Sequence, residues 1–237
     1  AILYSALTIV VALAWLLSGR RTTFGRFGRW PSRIFLTAGL LGTIAGIYHA
    51  LVPIRIENVP IELAGLPKEA DGTRIVLLAD LHVGLFTRPS RLDTIFATAR
   101  ALEPDIVLIL GDLIDDDPWF IPKLLAGTRA LGPDIPLYAV IGNHEIYGNP
   151  LRVIEQLEGS RIRLVVNEGF LFRGLWFAGT GDRAATQMRN YAQLAPDLDA
   201  SLAQRPSDAY PVVFSHQPRI FYEARERKLP LTLAAHR

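Results

Sequence analysis

The chain of 237 residues has no cysteine, so the sequence excludes both disulfides and a thiolate metal site. A domain of this size needs no disulfide, and this absence therefore indicates nothing about the compartment. Internal repeats and low-complexity segments are also missing. A basic stripe with interleaved aromatic residues is absent as well, which argues against nucleic acid as a partner.

Acidic residues are missing from the first 53 positions, which contain five arginines. The rest of the chain holds all 23 Asp and Glu residues and 20 of the 25 Lys and Arg residues. The excess positive charge therefore lies in one short N-terminal segment. It does not indicate a nucleic-acid-binding domain.

Two apolar runs without formal charge lie in that segment, at residues 1–17 and 34–53. A helix needs about 20 apolar residues to cross a bilayer, so residues 1–53 are predicted to form a transmembrane helical hairpin. The alternatives are a cleaved signal peptide, against which the second run argues, and buried helices of a soluble protein. Neither run carries Asp, Glu, Lys or Arg, so a transport function has little support.

The loop between the two runs carries all five arginines of the segment: Arg20, Arg21, Arg26, Arg29 and Arg33. Positively charged loops stay in the cytoplasm. We therefore expect everything after residue 53 to lie on the outer side of the membrane. Residues 54–72 are interpreted as a linker, with an edge strand as an alternative, and residues 73–237 as a separate domain.

From residue 73 onward, short apolar runs alternate with helix-like segments. A helix is predicted over about residues 90–102, and Asp117-Pro118 and Asn149-Pro150 are typical helix starts. The alternation predicts an α/β fold with βαβ crossovers. The predicted strands are residues 73–79, 105–110, 136–141, 162–166, 175–179, 210–215 and 229–234.

Polar side chains follow several of these strands at the point where each strand ends. They are Asp80, His82, Asp112, Asn143, His144, His216 and His236. In open α/β sheets, ligands bind outside the carboxyl ends of the strands, so we expect these side chains to converge. Carboxylates, imidazoles and an amide suit a first-row divalent metal. Gly111 and Gly142 precede site residues where a sharp turn favours glycine.

Each of these residues also has a structural interpretation. Asp80 could cap a turn, and His144 alone could be an ordinary loop histidine. Asp115 to Asp117 are predicted to form a solvated turn and a helix cap. The ordered combination at successive strand ends nevertheless favours a functional site.

The series Asp80-x-His82, Gly111-Asp112, Gly142-Asn143-His144-Glu145, His216 and His236 resembles the calcineurin-like metallophosphoesterase superfamily. The hairpin followed by "ADLHVG" is similar to its bacterial membrane-anchored branch. That resemblance implies a bacterial inner (cell) membrane protein in which residues 73–237 form the metallophosphoesterase domain, on the periplasmic or extracellular side. The resemblance implies a four-layer α/β/β/α sandwich that holds two divalent ions (Mn, Fe or Zn). It also implies the site residues: Asp80 and His82 on the first ion, Asp112 on both, Asn143, His216 and His236 on the second, and His144 as the catalytic acid.

The implied function is a membrane-tethered phosphoesterase with a two-metal hydroxide mechanism. A phosphodiester, a pyrophosphate or a phosphomonoester bond would be hydrolysed, and a lipid-linked substrate is expected next to the bilayer. A phosphomonoesterase for soluble substrates is a second possibility. The alternative from another class is a decayed, non-catalytic metal-binding or scaffolding module.

One motif departs from the family pattern. The family's last motif is Gly-His-x-His, whereas this chain has Ala235-His236-Arg237. We therefore expect a C-terminally truncated domain. In this chain, the ion on the Asn143 and His216 side should be bound better than the other, and the loss of the final metal-binding histidine should impair hydrolysis.

Overall fold

The computed structural model describes residues 37–46 and 54–236. The apolar run 1–17 and the arginine loop lie outside these residues, and the run 34–53 is described only as a helix over residues 37–46. Across the described residues, none of the helices has both the length and the apolarity that a bilayer-spanning helix requires. The chain divides into two compact units, Ala1–Val59 and Pro60–Arg237. Residues 54–59 have no regular secondary structure.

Two four-stranded sheets form the second unit. In the first sheet all strands run parallel in chain order: β1 (Ile75–Leu78), β2 (Ile106–Leu110), β3 (Leu137–Val140) and β4 (Arg163–Leu164). The second sheet also follows chain order: β5 (Glu168–Phe172), β6 (Leu175–Gly179), β7 (Tyr210–Ser215) and β8 (Leu231–Ala234). Strand β5 is antiparallel to β6, and the other pairs are parallel.

Six α-helices and five 3₁₀ turns connect the strands of this unit. The helices are α1 (Pro89–Ala101), α2 (Ile121–Gly127), α3 (Asn143–Tyr147), α4 (Pro150–Leu157), α5 (Leu198–Leu202) and α6 (Ile220–Glu226). The 3₁₀ turns are Lys68–Ala70, Pro118–Phe120, Thr128–Leu131, Arg183–Gln187 and Arg189–Leu194.

Strand β2 shows how the layers pack, because every one of its side chains is buried. Val107 and Ile109 face a core shared with the helices of the first sheet. Ile106, Leu108 and Leu110 face a core shared with the second sheet, which contributes Phe170, Phe177 and Phe214. A continuous apolar strand is what a parallel sheet buried on both faces requires.

Helices α5 and α6 cover the outer face of the second sheet. Leu198, Ile220 and Ala224 pack there against Val213 of β7. The order of layers is therefore helix, sheet, sheet, helix, as the family resemblance implied for this α/β fold.

The local predictions agree closely with the structure. Asp117 accepts a hydrogen bond from the Trp119 amide, and Asn149 accepts one from the Arg152 amide, so both caps are confirmed. All seven predicted strands are present; two have the predicted ends, and the ends of the other five differ by at most two residues. Strand β5 was not predicted, and no strand lies in residues 54–72.

Candidate metal centre

All seven predicted site residues lie just beyond the carboxyl ends of strands. They follow β1, β2, β3, β7 and β8, which come from both sheets. Three of them, Asp80, His82 and Asp112, have left-handed backbone conformations with φ of 51°, 41° and 49°. Such conformations are costly for residues other than glycine and cluster at functional sites. Here they turn the chain sharply as it leaves β1 and β2.

Asp112 lies at the middle of the cluster and is almost completely buried. Its Oδ2 is 3.3 Å from His216 Nε2 and 3.5 Å from His82 Nε2. Its Oδ1 accepts a hydrogen bond of 3.1 Å from the backbone N–H of His144. One carboxylate therefore contacts groups that follow β1, β3 and β7, which is the position that a bridging ligand needs.

His216 joins the second sheet to this cluster and is fully buried. Its Nδ1 donates to the Leu110 carbonyl oxygen at 2.7 Å, because a carbonyl can only accept. In the neutral ring, this leaves the lone pair on Nε2, where a metal would bind. Asn143 Oδ1 lies 3.1 Å from the same Nε2.

The donor set therefore fits a cation. Three electron-rich atoms, from Asp112, Asn143 and His216, converge at one point and need a proton or a metal ion between them. The ligand atoms of Asp80, Asp112 and His216 lie within 4.8 Å of one another, and so do those of His82, Asp115 and His144. This grouping places Asp80 beside His216, at 4.0 Å, and His82 beside Asp115, at 3.5 Å.

His144 lies at the edge of the cluster and is partly exposed. Its ring centroid is 4.4 Å from that of His82, and the two rings are nearly perpendicular. Its Nδ1 is 3.0 Å from Asp116 Oδ1, but the carboxylate lies outside the direction in which Nδ1 could form a hydrogen bond. The predicted acid thus lies beside the candidate ligands and is accessible to a substrate.

His236 is exposed, and its ring centroid is 4.9 Å from that of His216. The backbone N–H of Ala235 donates to the His216 carbonyl oxygen at 3.0 Å. The structure therefore places His236 at the second-sheet side of the cluster.

Electrostatics hold the central pair together. Burial alone would raise the pKa of Asp112, but its hydrogen bonds with His216 and His144, together with their charge, lower that pKa below its usual value. Burial likewise opposes protonation of His216, but the hydrogen bond and the charge of Asp112 raise the pKa of His216. The charged form of each of these two groups therefore favours the charged form of the other.

Glu145 supports the cluster, although the sequence motif that contains it indicated no role for this residue. It is fully buried, and its carboxylate accepts hydrogen bonds from the N–H groups of Asp112, Ile114 and Gly142, at 3.1, 3.0 and 2.8 Å. Burial raises its pKa to about 7, against the effect of these hydrogen bonds. The side chain fixes the two turns that carry Asp112 and Asn143.

Two glycines are required for different reasons. Gly111 has φ of +80°, and a Cβ there would lie 2.7 Å from the Cβ of His216. Gly142 has an extended backbone, so the predicted conformational reason is wrong for it. A Cβ at Gly142 would instead collide with the Asp112 carboxylate. Close approach of the two turns, rather than the backbone angle, excludes larger residues there.

Sequence reasoning missed Asp182, which follows β6 and is buried. Its Oδ1 accepts from the Ala184 amide and from Gln217 Nε2, whereas its Oδ2 makes no hydrogen bond with the described residues. Burial raises the pKa of Asp182, and the Asp112 charge adds to that effect. The strand-end rule that found the other residues would also have found Asp182 after β6.

The acidic turn after Asp112 is exposed, as predicted, and Asp117 is a cap. The sequence did not indicate that Asp115 and Asp116 lie next to His82 and His144. These two carboxylates therefore contribute to the electrostatics of the site.

A groove of about 660 Å³ lies beside His216, within the size range of small-molecule sites. Ser215 and Gln217, on either side of His216, contribute to its wall. Its wall also includes Arg183, Arg219 and Tyr222, together with Glu223 and Glu226. This groove could hold the part of a substrate that extends beyond the metal cluster.

The site and the two-sheet fold define an α/β protein with a candidate metal centre, and comparison with known proteins identifies the family. The calcineurin-like phosphoesterase family model matches residues 73–227. The chain belongs to this family.

Several proteins of this class are similar to the chain. An uncharacterized metallophosphoesterase of Helicobacter pylori strain 26695 is 30% identical over 81% of this chain and 50% of its own length. A Danio rerio protein named "transmembrane protein with metallophosphoesterase domain" is 28% identical over 90% of this chain and 50% of its own length. The crystal structure of TT1561 of Thermus thermophilus superposes with a TM-score of 0.48 and 14% identity, covering 70% of this chain and 82% of that one. The chain spans about half the length of the first two relatives.

Proposed function

We propose that this protein is a metal-dependent phosphoesterase with a two-ion centre, tethered to the bacterial cell membrane. The observation that supports this proposal best is the convergence of Asn143, His82 and His216 around the buried Asp112 carboxylate. Family membership supports hydrolysis of a phosphoester. The substrate we propose is a phosphodiester, pyrophosphate or monoester, with lipid-linked substrates favoured by the proposed tether.

Asp80 and His82 would hold one ion and Asn143, His216 and His236 the other, with Asp112 between them. When bound, the ions would supply positive charge that polarises the phosphoester and lowers the pKa of a nearby water.

The protein's own residues prepare this centre. The Leu110 carbonyl selects the His216 tautomer, and Glu145 fixes the backbone on which Asp112 is mounted. His144, partly exposed beside the cluster, would donate a proton to the leaving oxygen. In the groove, Arg183 and Arg219 would bind a second anionic group of the substrate.

The membrane tether is a proposal from the sequence. Residues 1–17 and 34–53 are long and apolar, and the arginine loop between them favours a catalytic domain outside the cytoplasm. The printed name of the Danio rerio relative, a transmembrane protein with a metallophosphoesterase domain, is in line with such a tether. A reporter fused after residue 60 should be active only outside the cytoplasm. Activity of that fusion only in the cytoplasm would contradict the topology.

Hydrolysis tests the activity directly. The purified chain should be loaded with Mn²⁺ and assayed on bis(p-nitrophenyl) phosphate and on p-nitrophenyl phosphate. Comparison of the two esters distinguishes a diesterase from a monoesterase, and Asp112→Asn should remove both turnover and most bound metal. Full metal content without turnover on either ester, on pyrophosphates or on lipid phosphoesters would favour the non-catalytic metal-binding module.

A further inference from the structure

Five large apolar side chains are exposed on three neighbouring segments around the candidate metal centre: a loop, a 3₁₀ turn and the region where α3 ends and α4 begins. They are Leu85, Phe86, Trp119, Tyr147 and Leu151, and we call them the apolar rim. Trp119 is 80% exposed and Phe86 is 76% exposed, so neither side chain contributes to the core. Single exposed apolar residues are ordinary on protein surfaces, but a group of them beside one site indicates an interaction surface.

The loops of the rim are in direct contact with one another. The Lys123 ammonium donates to the carbonyl oxygens of Gly84 and Thr87, at 2.8 Å each, and lies 5.2 Å from the centre of the Phe120 ring. This lysine therefore connects the loop of Leu85 and Phe86 to the turn that carries Trp119. Both loops are fixed by the fold.

The segment around Gly148 lies next to the same group of residues. The backbone of Gly148 lies so close to the Asp116 carbonyl that a Cβ could not fit between them. The neighbouring Tyr147 ring lies 6.3 Å from the His144 ring. Tyr147 therefore lies beside His144, and the rim borders the candidate site.

The chemistry of the rim favours a lipid bilayer as its partner. Trp and Tyr concentrate at membrane–water interfaces, where Leu and Phe insert beside them. Arg88 and Arg91 follow the Leu85–Phe86 tip, are exposed, and form no ion pair within residues 37–46 and 54–236. Exposed arginines of this kind attract anionic phosphate headgroups.

Three exposed carboxylates precede Trp119: Asp115 and Asp116 face the candidate site, and Asp117 caps the turn that carries Trp119. Asp115 and Asp116 face His82 and His144 at 3.5 and 3.0 Å, so their charge is directed toward the cation site. The apolar, uncharged run 34–53 gives an independent reason to expect a bilayer nearby.

We propose that the apolar rim docks on the surface of a lipid bilayer and presents the metal centre to the headgroup layer. This proposal rests on the proposed function for its consequence, which is that the substrate is a phosphoester in the headgroup of a membrane lipid. The docking itself depends only on the rim.

The absence of cysteine makes the docking easy to measure. Single-cysteine variants of the full chain, Phe86→Cys and Trp119→Cys, would carry an environment-sensitive fluorophore. Leu171→Cys is the matched control, because Leu171 is exposed but pairs with Trp176 at the opposite end of the second sheet. The chain would be reconstituted into vesicles of phosphatidylcholine with a minority of phosphatidylglycerol, with and without brominated lipid.

Brominated lipid should quench the labels at positions 86 and 119 several-fold more than the label at 171. Equal quenching at all three positions would overturn the proposal. So would immobile labels at 86 and 119 without lipid quenching, because that result indicates a protein partner.

Activity provides the second measurement. Phe86→Asp with Trp119→Asp should leave hydrolysis of soluble bis(p-nitrophenyl) phosphate unchanged and reduce hydrolysis of vesicle phosphatidylglycerol about tenfold, since insertion is lost. An equal loss on both substrates, or no loss on either, would count against docking. If the wild-type chain hydrolyses none of the esters, the proposed function is refuted. The docking proposal is still tested in that case, because lipid quenching of the labels does not depend on activity.

Discussion

Replacement of Glu145 by Gln tests how the fold supports the metal centre. The Glu145 carboxyl group accepts hydrogen bonds from three backbone N–H groups through its two oxygens, which both carry lone pairs when the group is protonated, whereas the Gln amide has only one oxygen to accept them. One N–H would then face the amide nitrogen, and an unpaired buried donor costs about 1–3 kcal/mol. We therefore expect Glu145→Gln to lower the free energy of unfolding by about that amount at mildly acidic pH.

The pH dependence gives a sharper prediction. Burial raises the pKa of Glu145 from 4.5 to about 7 in the metal-free protein, so the folded state retains a proton that the unfolded state has released. The stabilisation is complete below the unfolded pKa and is lost as pH rises through the folded one. The shift corresponds to about 3 kcal/mol at alkaline pH. Gln cannot ionise, so the deficit of the variant should shrink by up to about 3 kcal/mol between about pH 5 and pH 8.

Urea denaturation of both full-length chains in chelator, followed by tryptophan fluorescence, measures this difference. A repeat with Mn²⁺ is the control: a cation near Asp112 favours the ionised carboxylate, and the pH effect should weaken. A deficit that stays constant across the pH range without metal would refute the reasoning, because Glu145 would then be ionised throughout.

Three further predictions concern the same site. His144→Asn should leave metal content nearly unchanged and reduce turnover about 10²–10⁴-fold, whereas loss of metal, measured by elemental analysis, would make His144 a ligand. Gly111→Ala should cost about 1–3 kcal/mol and weaken metal binding, because its Cβ meets His216. Gly159→Ala is the matched control, because Gly159 has a similar positive φ but open space around it, so this variant should lose stability without losing metal affinity. Equal metal affinity in the two variants would contradict the role of the contact between position 111 and His216. Arg219→Ala should raise KM several-fold for substrates with a second anionic group, with little change in kcat. An equal rise in KM for an ester without that group would count against binding of the second anionic group by Arg219.

The sequence predicted the strand ends well because each parallel strand is a short apolar run followed directly by polar residues. Asp112 and His216 could be placed in this way, each from its own strand. Their convergence was expected from the strand ends and from the family resemblance, but the 3.3 Å separation of Asp112 Oδ2 and His216 Nε2 could not be predicted, since it depends on how the two sheets pack together. The same holds for Asp115, whose proximity to His82 arises from the packing of Gly84 against it.

Strand β5 was not predicted because it is joined to β6 by a tight hairpin turn, whereas the predicted strands were recognised from an alternation of strands with crossover helices. Arg173 and Gly174 both have positive φ and join β5 to β6 in antiparallel register. Paired positive φ values are typical of the two-residue turns that match strand twist. An Arg-Gly pair is a weak form of that turn signal, so the preceding apolar residues were not predicted as a strand.

The position of His216 has a consequence for the order in which the candidate site assembles during synthesis. Its ring is held by the Leu110 carbonyl, 106 residues earlier in the chain. When only the first sheet has emerged from the ribosome, the nascent chain contains Asp80, His82 and Asp112. His216, which completes the cluster, has not yet emerged. The second sheet must dock before the metal donors meet, and such long-range contacts form slowly. Tight binding of a cation at the candidate centre therefore requires that both sheets have joined.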